Sequence, residues 1–558
     1  MKKIILLLCL LHGITAFAKP ELTENQKLES LAKVWGFLKY YHPEVAKGKE
    51  DWDAELMAKI IEVKKAEDQH ALNIIYSSWL KKLGKVKKCN RCDNNVPDSL
   101  MRNVTFEWLY DSTTFTPELI QQLDYIRKNR NQGKNHYVQR RYPVFKVQAY
   151  FKNEKPYTNL EDLPSEEYRL LGLFRYWNII NYYFPYKYAI GQSWDSILAD
   201  MVPKFRNAAD PVAYHLAMQE LTASINDGHS YFGSTKHTWK YFGGSYVPFK
   251  STIIDGKAVV TGFYHEGFAK AAGINYGDVI TKIEGKPIME VLEPKLKYMS
   301  GSNEAYKLKM ARNILFNGNK PTVNVTVERD GKEQELTISR YPFSRFGYKP
   351  EAIQEKPWMM LNSDVGYVDL SRLQPKEIKT AMQEIWNSKG IVIDLREYPT
   401  KPVSHAVASY LKSENTVHAV MTYPDLKYPG VFRPNTPWRT GVRDKKGYYK
   451  GKVVVLVNEG TISAGEFGTM ALQTAPDVTV IGSQTAGADG NIVKIVFPGG
   501  IETQMSGLGV YYPDGRETQR IGIVPDIEVK PTIAGIQNRE DELLDRAILH
   551  ILSNHNVE

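Results

Sequence analysis

Twelve residues in the N-terminal third of the chain recur at one constant offset. Leu28, Leu31, Trp35, Tyr40, Tyr41, Pro43, Trp52, Asp53, Leu56, Ala66, Asp68 and Ala71 return as Leu170, Leu173, Trp177, Tyr182, Tyr183, Pro185, Trp194, Asp195, Leu198, Ala208, Asp210 and Ala213, each 142 positions on. A gapless match of this length marks a duplicated module. Within each copy the apolar residues fall at helical spacing, as in Leu28, Leu31, Trp35 and Leu38, and a proline ends the run after the Tyr-Tyr pair. Each copy is therefore predicted to be a small helical bundle. The Trp and Tyr stripe is read as core, because aromatic residues at helical spacing pack inward. The copies part at their ends. The first finishes in Leu83-Gly84-Lys85, the second in Ile225-Asn226-Asp227-Gly228-His229-Ser230, and only the second acquires a histidine there.

The 558 residues are 42% hydrophobic and 24% charged, which excludes a collagen-like, disulfide-knot or wholly disordered chain. At about 150 residues per domain the length predicts three to four domains. The net charge of +9 is spread along the chain rather than gathered into a basic stripe, so no nucleic-acid partner is expected. Lys2 and Lys3, the apolar run 4–11 and Ala16-Phe17-Ala18 read as an export signal over 1–18. The run is too short to span a bilayer and no later segment is apolar enough. The expected location is periplasmic or extracellular. Cys9 lies inside the signal without the small residue before it that lipid anchoring wants. Cys89 and Cys92, in Cys-Asn-Arg-Cys, have neither a thioredoxin-like setting nor further zinc ligands nearby, which leaves a local structural disulfide or two idle thiols.

From about 246 to 341 the pattern changes to short strands and glycine turns. Ala272-Gly273-Ile274-Asn275-Tyr276-Gly277-Asp278-Val279-Ile280 leads to Ile283-Glu284-Gly285-Lys286-Pro287-Ile288, and Val323-Asn324-Val325-Thr326-Val327 precedes an Asp330-Gly331 turn. This segment resembles a PDZ domain of the bacterial protease type, G-(I/L)-x-x-G-D-x-I-x-x-I-x-G. Such domains bind extended peptide ends by strand addition. Beyond about 357, strand-like runs at 365–370, 390–395, 452–457 and 478–481 alternate with helical patterns at 375–388, 403–411 and 464–472, which predicts an α/β domain with a largely parallel sheet.

Ser463 stands where the apolar run 451–457 passes through a tight turn into a helix. Unpaired N–H groups and the helix dipole there stabilise developing negative charge, which suits a nucleophile. From position alone, a serine that simply caps the helix is the readier reading. The segments 457–466 (VNEGTISAGE), 480–487 (VIGSQTAG) and 521–526 (IGIVPD) resemble the C-terminal-processing, or tail-specific, serine peptidases, in which a helical region, a PDZ domain and a crotonase-like α/β protease core follow in that order. The resemblance implies a multidomain α+β chain: first helical module and linker 19–159, second helical module 160–240, PDZ domain 245–342 and catalytic domain 352–558.

That family activates its serine in two ways. One branch places a lysine just after G-x-x-T-x-G; here Ala488 follows Gly487 and that lysine is missing. Lys494 is the nearest substitute, but it lies on an apparent strand. The tricorn-core-like branch uses a histidine with a distant glutamate, and Asp227-Gly228-His229-Ser230 matches its histidine motif. The resemblance makes His229 the general base for Ser463. The orienting glutamate aligns with Gln519, and Glu517 is the nearest acid; Glu517 is preferred because a carboxylate stabilises imidazolium better than an amide. The oxyanion would meet the Ala464 N–H and a second donor after Asp394-Leu395-Arg396, where Glu397-Tyr398-Pro399-Thr400 lacks the family's glycines. Tyr398 or Thr400 must supply it, since proline has no N–H. The expectation is an exported serine endopeptidase acting on extended or unfolded proteins docked at the PDZ domain, without metal or organic cofactor. A peptide-binding scaffold that does not cut is the alternative, drawn from the missing glycine and Gln519, and an esterase is third. Neither H-E-x-x-H nor G-x-x-x-x-G-K-[ST] occurs, so a zincin or P-loop enzyme finds no support.

Overall fold

The duplication recurs helix for helix in three dimensions. A computed structural model describes residues 22–141, 148–348, 355–444 and 447–553; the export signal read at 1–18 lies outside them. Helices Glu24–Tyr41 and Trp52–Lys64 return as Glu166–Tyr183 and Trp194–Arg206, keeping the offset of 142 at both ends. The third helices are Gln69–Leu83 and Pro211–Ala223. The repeated residues explain why. Trp35 and Trp52 each donate an indole N–H to the other's carbonyl, at 3.0 and 3.2 Å, and Trp177 and Trp194 do the same at 2.8 and 2.9 Å. Asp68 caps its helix by accepting from the Ala71 amide, as Asp210 does from Ala213.

The two copies pack face to face about a pseudo-two-fold. Lys33 pairs with Asp195 at 2.9 Å, and the equivalent exchange, Arg175 with Asp53, closes at 2.8 Å. Gly36 and Asn178 are equivalent positions 142 apart, and they meet where the first helices cross. A Cβ on Gly36 would lie 1.9 Å from the Asn178 amide, whose Nδ2 donates to the Ala32 and Phe174 carbonyls. The aromatic stripe is core as expected, with Trp35, Tyr41, Trp177 and Tyr183 essentially inaccessible. Both copies share one continuous core, which also takes in Val493, Ile495 and Met505 from the C-terminal half. Cys89 and Cys92 are joined as a disulfide with Cα atoms 5.6 Å apart.

Residues 249–339 build an antiparallel sheet in the order Phe249–Ile254, Lys257–Phe263, Val279–Ile283, Thr322–Arg329, Lys332–Ser339, so that Phe249–Ile254 is an edge. Helix Glu304–Arg312 packs beside that edge strand.

The C-terminal region has the expected parallel sheet. Strands Val365–Asp369, Gly390–Asp394, Lys452–Val457, Val478–Gly482 and Ile527–Glu528 run parallel, with Trp358–Met360 added antiparallel at one edge. Alternating side chains fill two layers. Val453, Val455 and Val457 pack toward helix Ala464–Leu472, while Val454 and Leu456 meet Leu543, Ala547 and Ile551 of helix Glu542–Leu552. The helix expected over 375–388 is shorter, Ile378–Glu384. A hairpin of Ile492–Val496 and Glu502–Ser506 leaves this domain and pairs with Tyr231–Phe232, just past the second helical copy. No helix among the described residues is long and apolar enough to cross a membrane.

Candidate active site

Ser463 ends a stitched turn. The Gly460 amide donates to Asn458 Oδ1 at 2.8 Å, the Asn458 amide to Thr461 Oγ1 at 3.1 Å, and Thr461 Oγ1 to the Leu395 carbonyl at 2.9 Å. Ser463 itself has φ 55° and ψ −115°, whereas ordinary caps in this chain are extended, such as Asp210 at φ −154°. Holding a non-glycine residue there costs of order 1–3 kcal/mol and requires surroundings that fix it. Those surroundings are the Ala488 carbonyl and the Glu466 carboxylate, which both accept from the Ser463 amide, at 2.9 and 3.2 Å. Simple capping needs no such strain. Ala464, the first residue of the helix, is exposed, and its amide lies at the positive end of the dipole.

Glu466 is the hub under this turn. It is wholly buried and also accepts from Thr485 Oγ1, from the Gly487 amide at 2.7 Å and from the Ala488 amide at 3.0 Å. Burial pushes its carboxyl up to about 7 against the opposing pull of those donors. Asp489, also wholly inside, is raised by burial and then by the Glu466 charge. Sequence reading found Ser463 but not Glu466, whose only signal is its place three residues along the same helix.

His229 is buried, 6% exposed, and its loop is pressed onto the serine turn: a Cβ on Gly228 would lie 2.9 Å from Ala488 Cβ and 3.3 Å from Ile462 Cδ1. Its Nδ1 lies 2.8 Å from Ser506 Oγ. Its Nε2 is inaccessible and has no hydrogen-bond partner, so no bond joins His229 to Ser463. Burial lowers the His229 pKa below the imidazole value, opposed by the Asp227 charge. The register explains how Ser506 gets there. Thr503 pairs with Phe232 and Gln504 with Tyr231, and continuing this antiparallel ladder sets Ser506 opposite His229. A segment of the antiparallel sheet domain steadies the same loop: Ser302 Oγ accepts the Gly228 amide at 2.6 Å, and Asn303 Nδ2 donates to the Thr485 carbonyl at 2.7 Å.

Glu517 is not part of this arrangement. Its carboxylate pairs with Arg102 of the N-terminal region at 2.5 Å, which corrects the expectation that it orients His229. The turn at 514–518 points it toward the helical modules instead. Gln519 is buried beside the histidine loop, its Nε2 3.4 Å from the Asn226 carbonyl. Lys494 forms a surface ion pair with Glu502 at 2.8 Å and offers no base. The loop after Asp394 approaches the helix start through Pro399, whose Cδ would lie 3.8 Å from a Cβ on Gly465. Tyr398 is exposed, and Thr400 Oγ1 donates to the Ser371 carbonyl at 3.4 Å. Among the described residues, no group of three or more His, Cys, Asp or Glu could hold a metal ion.

Residues 364–529, which contain Ser463, match the model of peptidase family S41. That stretch of the chain is similar to peptidase family S41. The carboxy-terminal-processing protease of Bartonella bacilliformis is 28% identical over 273 residues, 47% of this chain and 56% of that protein. The "Probable CtpA-like serine protease" of Staphylococcus haemolyticus is 25% identical over 294 residues, 49% of this chain and 50% of that protein. The chain thus spans about half the length of these curated relatives. The crystal structure of mature CPAF superposes with a TM-score of 0.54 at 14% identity, covering 70% of this chain and 99% of that one, a likeness of fold. That likeness of fold extends over more of the chain than the stretch 364–529.

Proposed function

We propose that the protein is an exported serine endopeptidase that hydrolyses peptide bonds of extended or unfolded proteins. The observation that carries this reading is the conformation of Ser463: a strained residue at the start of a helix, backed by a buried carboxylate, with the loop that carries His229 packed against the same turn at Gly228 and the His229 Nε2 unpartnered. Ser463 Oγ attacks the scissile carbonyl while His229 Nε2 takes its proton. The tetrahedral oxyanion is held by the Ala464 N–H and by an amide of the Tyr398–Thr400 loop. Imidazolium then protonates the leaving amine, the C–N bond breaks, and water attacking the acyl-serine with His229 again as base restores Ser463. Residues 245–342 act as a PDZ domain in this reading. A bound peptide adds to the free edge of Phe249–Ile254, beside helix Glu304–Arg312.

The expected outcome is that Ser463→Ala abolishes cleavage of an unfolded protein substrate while leaving the circular dichroism spectrum unchanged. Wild-type turnover in that variant would sink the assignment. A scaffold that binds peptides without cutting draws on one observation, the absence of a hydrogen bond at His229 Nε2; it predicts peptide binding with no cleavage by the wild type under any condition. Catalytic pairs in resting enzymes are often loose and tighten on substrate binding, so the enzyme reading is compatible with the unbonded pair.

A further inference from the structure

The imidazole of His229 is useful as a base only if Nε2 carries the lone pair, and the buried polar atoms around it decide that. Asp227 is completely inaccessible. It accepts from the Ser506 amide at 2.6 Å, from Ser506 Oγ at 3.0 Å and from the His229 amide at 3.1 Å. Three donors converge on its two oxygens, which is the environment of an ionised, acceptor-only carboxylate. Ser506 has one hydroxyl hydrogen, and that hydrogen goes to Asp227. At 2.8 Å from His229 Nδ1 the Ser506 oxygen can then only accept. Nδ1 must carry the ring proton, and the lone pair falls to Nε2, the atom that lacks a partner.

We infer that Asp227 and Ser506 form a two-residue relay that sets the tautomer of His229, in the place where an orienting glutamate would otherwise act. They are positioning residues: neither meets the substrate, and the proton that moves in catalysis moves between Ser463 Oγ and His229 Nε2. As the imidazole becomes imidazolium, its Nδ1–H bond to Ser506 strengthens, and the polarised hydroxyl passes that stabilisation to the Asp227 charge. This relay joins two distant parts of the sequence, Asp227 from the end of the second helical copy and Ser506 from the hairpin that pairs with it.

Replacing Asp227 by Asn leaves one acceptor oxygen where there were two; with that oxygen kept on the Ser506 amide, the shorter of the two contacts, the NH2 faces the Ser506 hydroxyl. The hydroxyl then turns to Nδ1, and the ring is driven to the Nε2–H form, which is no base. The inference rests on the proposed peptidase reading for its kinetics but not for its structural test, which needs no substrate. Long-range proton–nitrogen correlation spectra of ring-labelled histidine, with His229 assigned through His229→Gln, report the tautomer directly. The wild type is expected to show protonated Nδ1 and free Nε2 at neutral pH, and Asp227→Asn the reverse or a mixture. Kinetically, Asp227→Asn and Ser506→Ala are each expected to lose about a hundredfold or more in kcat with little change in KM, and Ser506→Thr, which keeps a hydroxyl, to recover most of it. A wild-type Nε2–H tautomer overturns the relay whatever the activity. So does an Asp227→Asn variant that keeps the wild-type tautomer and pH profile. If the tautomer is as expected and no cleavage is found, the relay stands and the peptidase reading falls.

Discussion

Ser463 and Glu466 belong together physically. A serine at φ 55° stays there only while the carboxylate beneath it holds its own amide and the neighbouring Gly487 and Ala488 amides. Burial holds the Glu466 carboxyl at about 7, against an ordinary 4.5. Between those values the unfolded chain releases a proton that the folded protein keeps, so this group's contribution to stability falls as pH rises from 4.5 to about 7 and is level above. Glu466→Gln should flatten that slope in a series of melting curves, and should also cost about 1–3 kcal/mol because its NH2 faces donors. Parallel pH profiles for variant and wild type would contradict the assignment. Glu517 carries the opposite expectation. Its partner is Arg102, at the surface, so Glu517→Gln should change stability by less than about 1 kcal/mol and leave kcat/KM within about twofold. A large fall in kcat would restore it to the site.

Among the elements, the two first helices show what a duplication demands when its copies pack on each other. At the crossing, equal residues cannot face one another; Gly36 gives up its side chain to the Asn178 amide. Gly36→Ala gains helix propensity of up to about 1 kcal/mol, yet the clash should outweigh it and leave a net loss of about 1–3 kcal/mol in denaturant titrations. The double variant Gly36→Ala, Asn178→Gly should recover most of the loss, and a single variant as stable as the wild type would contradict this packing. The repeat itself was legible, because Trp35 with Trp52 and Asp68 with Ala71 are local pairs whose spacing survives in the sequence. Four of the five parallel strands were legible for the same reason, each being a short apolar run; Ile527–Glu528, two residues long, was not. Ser506 was not, since its role depends on a ladder between residues more than 250 positions apart. Glu517 misled because its charge and its closeness in sequence to Gln519 say nothing about which neighbour, Arg102 or His229, the fold brings to it.

At the scale of the whole molecule, the proposed catalytic groups come from separate regions and are held by a third. His229 closes the second helical copy, Ser463 opens a helix of the C-terminal region, and Ser302 and Asn303 of the antiparallel domain bond to the loops on either side. The first helical copy and the linker after it also contact the C-terminal region: Tyr41 donates to the Pro429 carbonyl at 2.7 Å, and Arg130 donates to the Lys427 carbonyl at 3.0 Å while stacking over Tyr428. On the proposed reading, activation of Ser463 by His229 needs the assembled molecule rather than the C-terminal region alone. The most direct measurement is labelling of the intact protein with a serine-reactive fluorophosphonate, followed by peptide mapping. Stoichiometric modification at Ser463, absent in Ser463→Ala and slowed about a hundredfold or more in His229→Ala, is the predicted result; undiminished labelling in either variant, or none in the wild type, would contradict it.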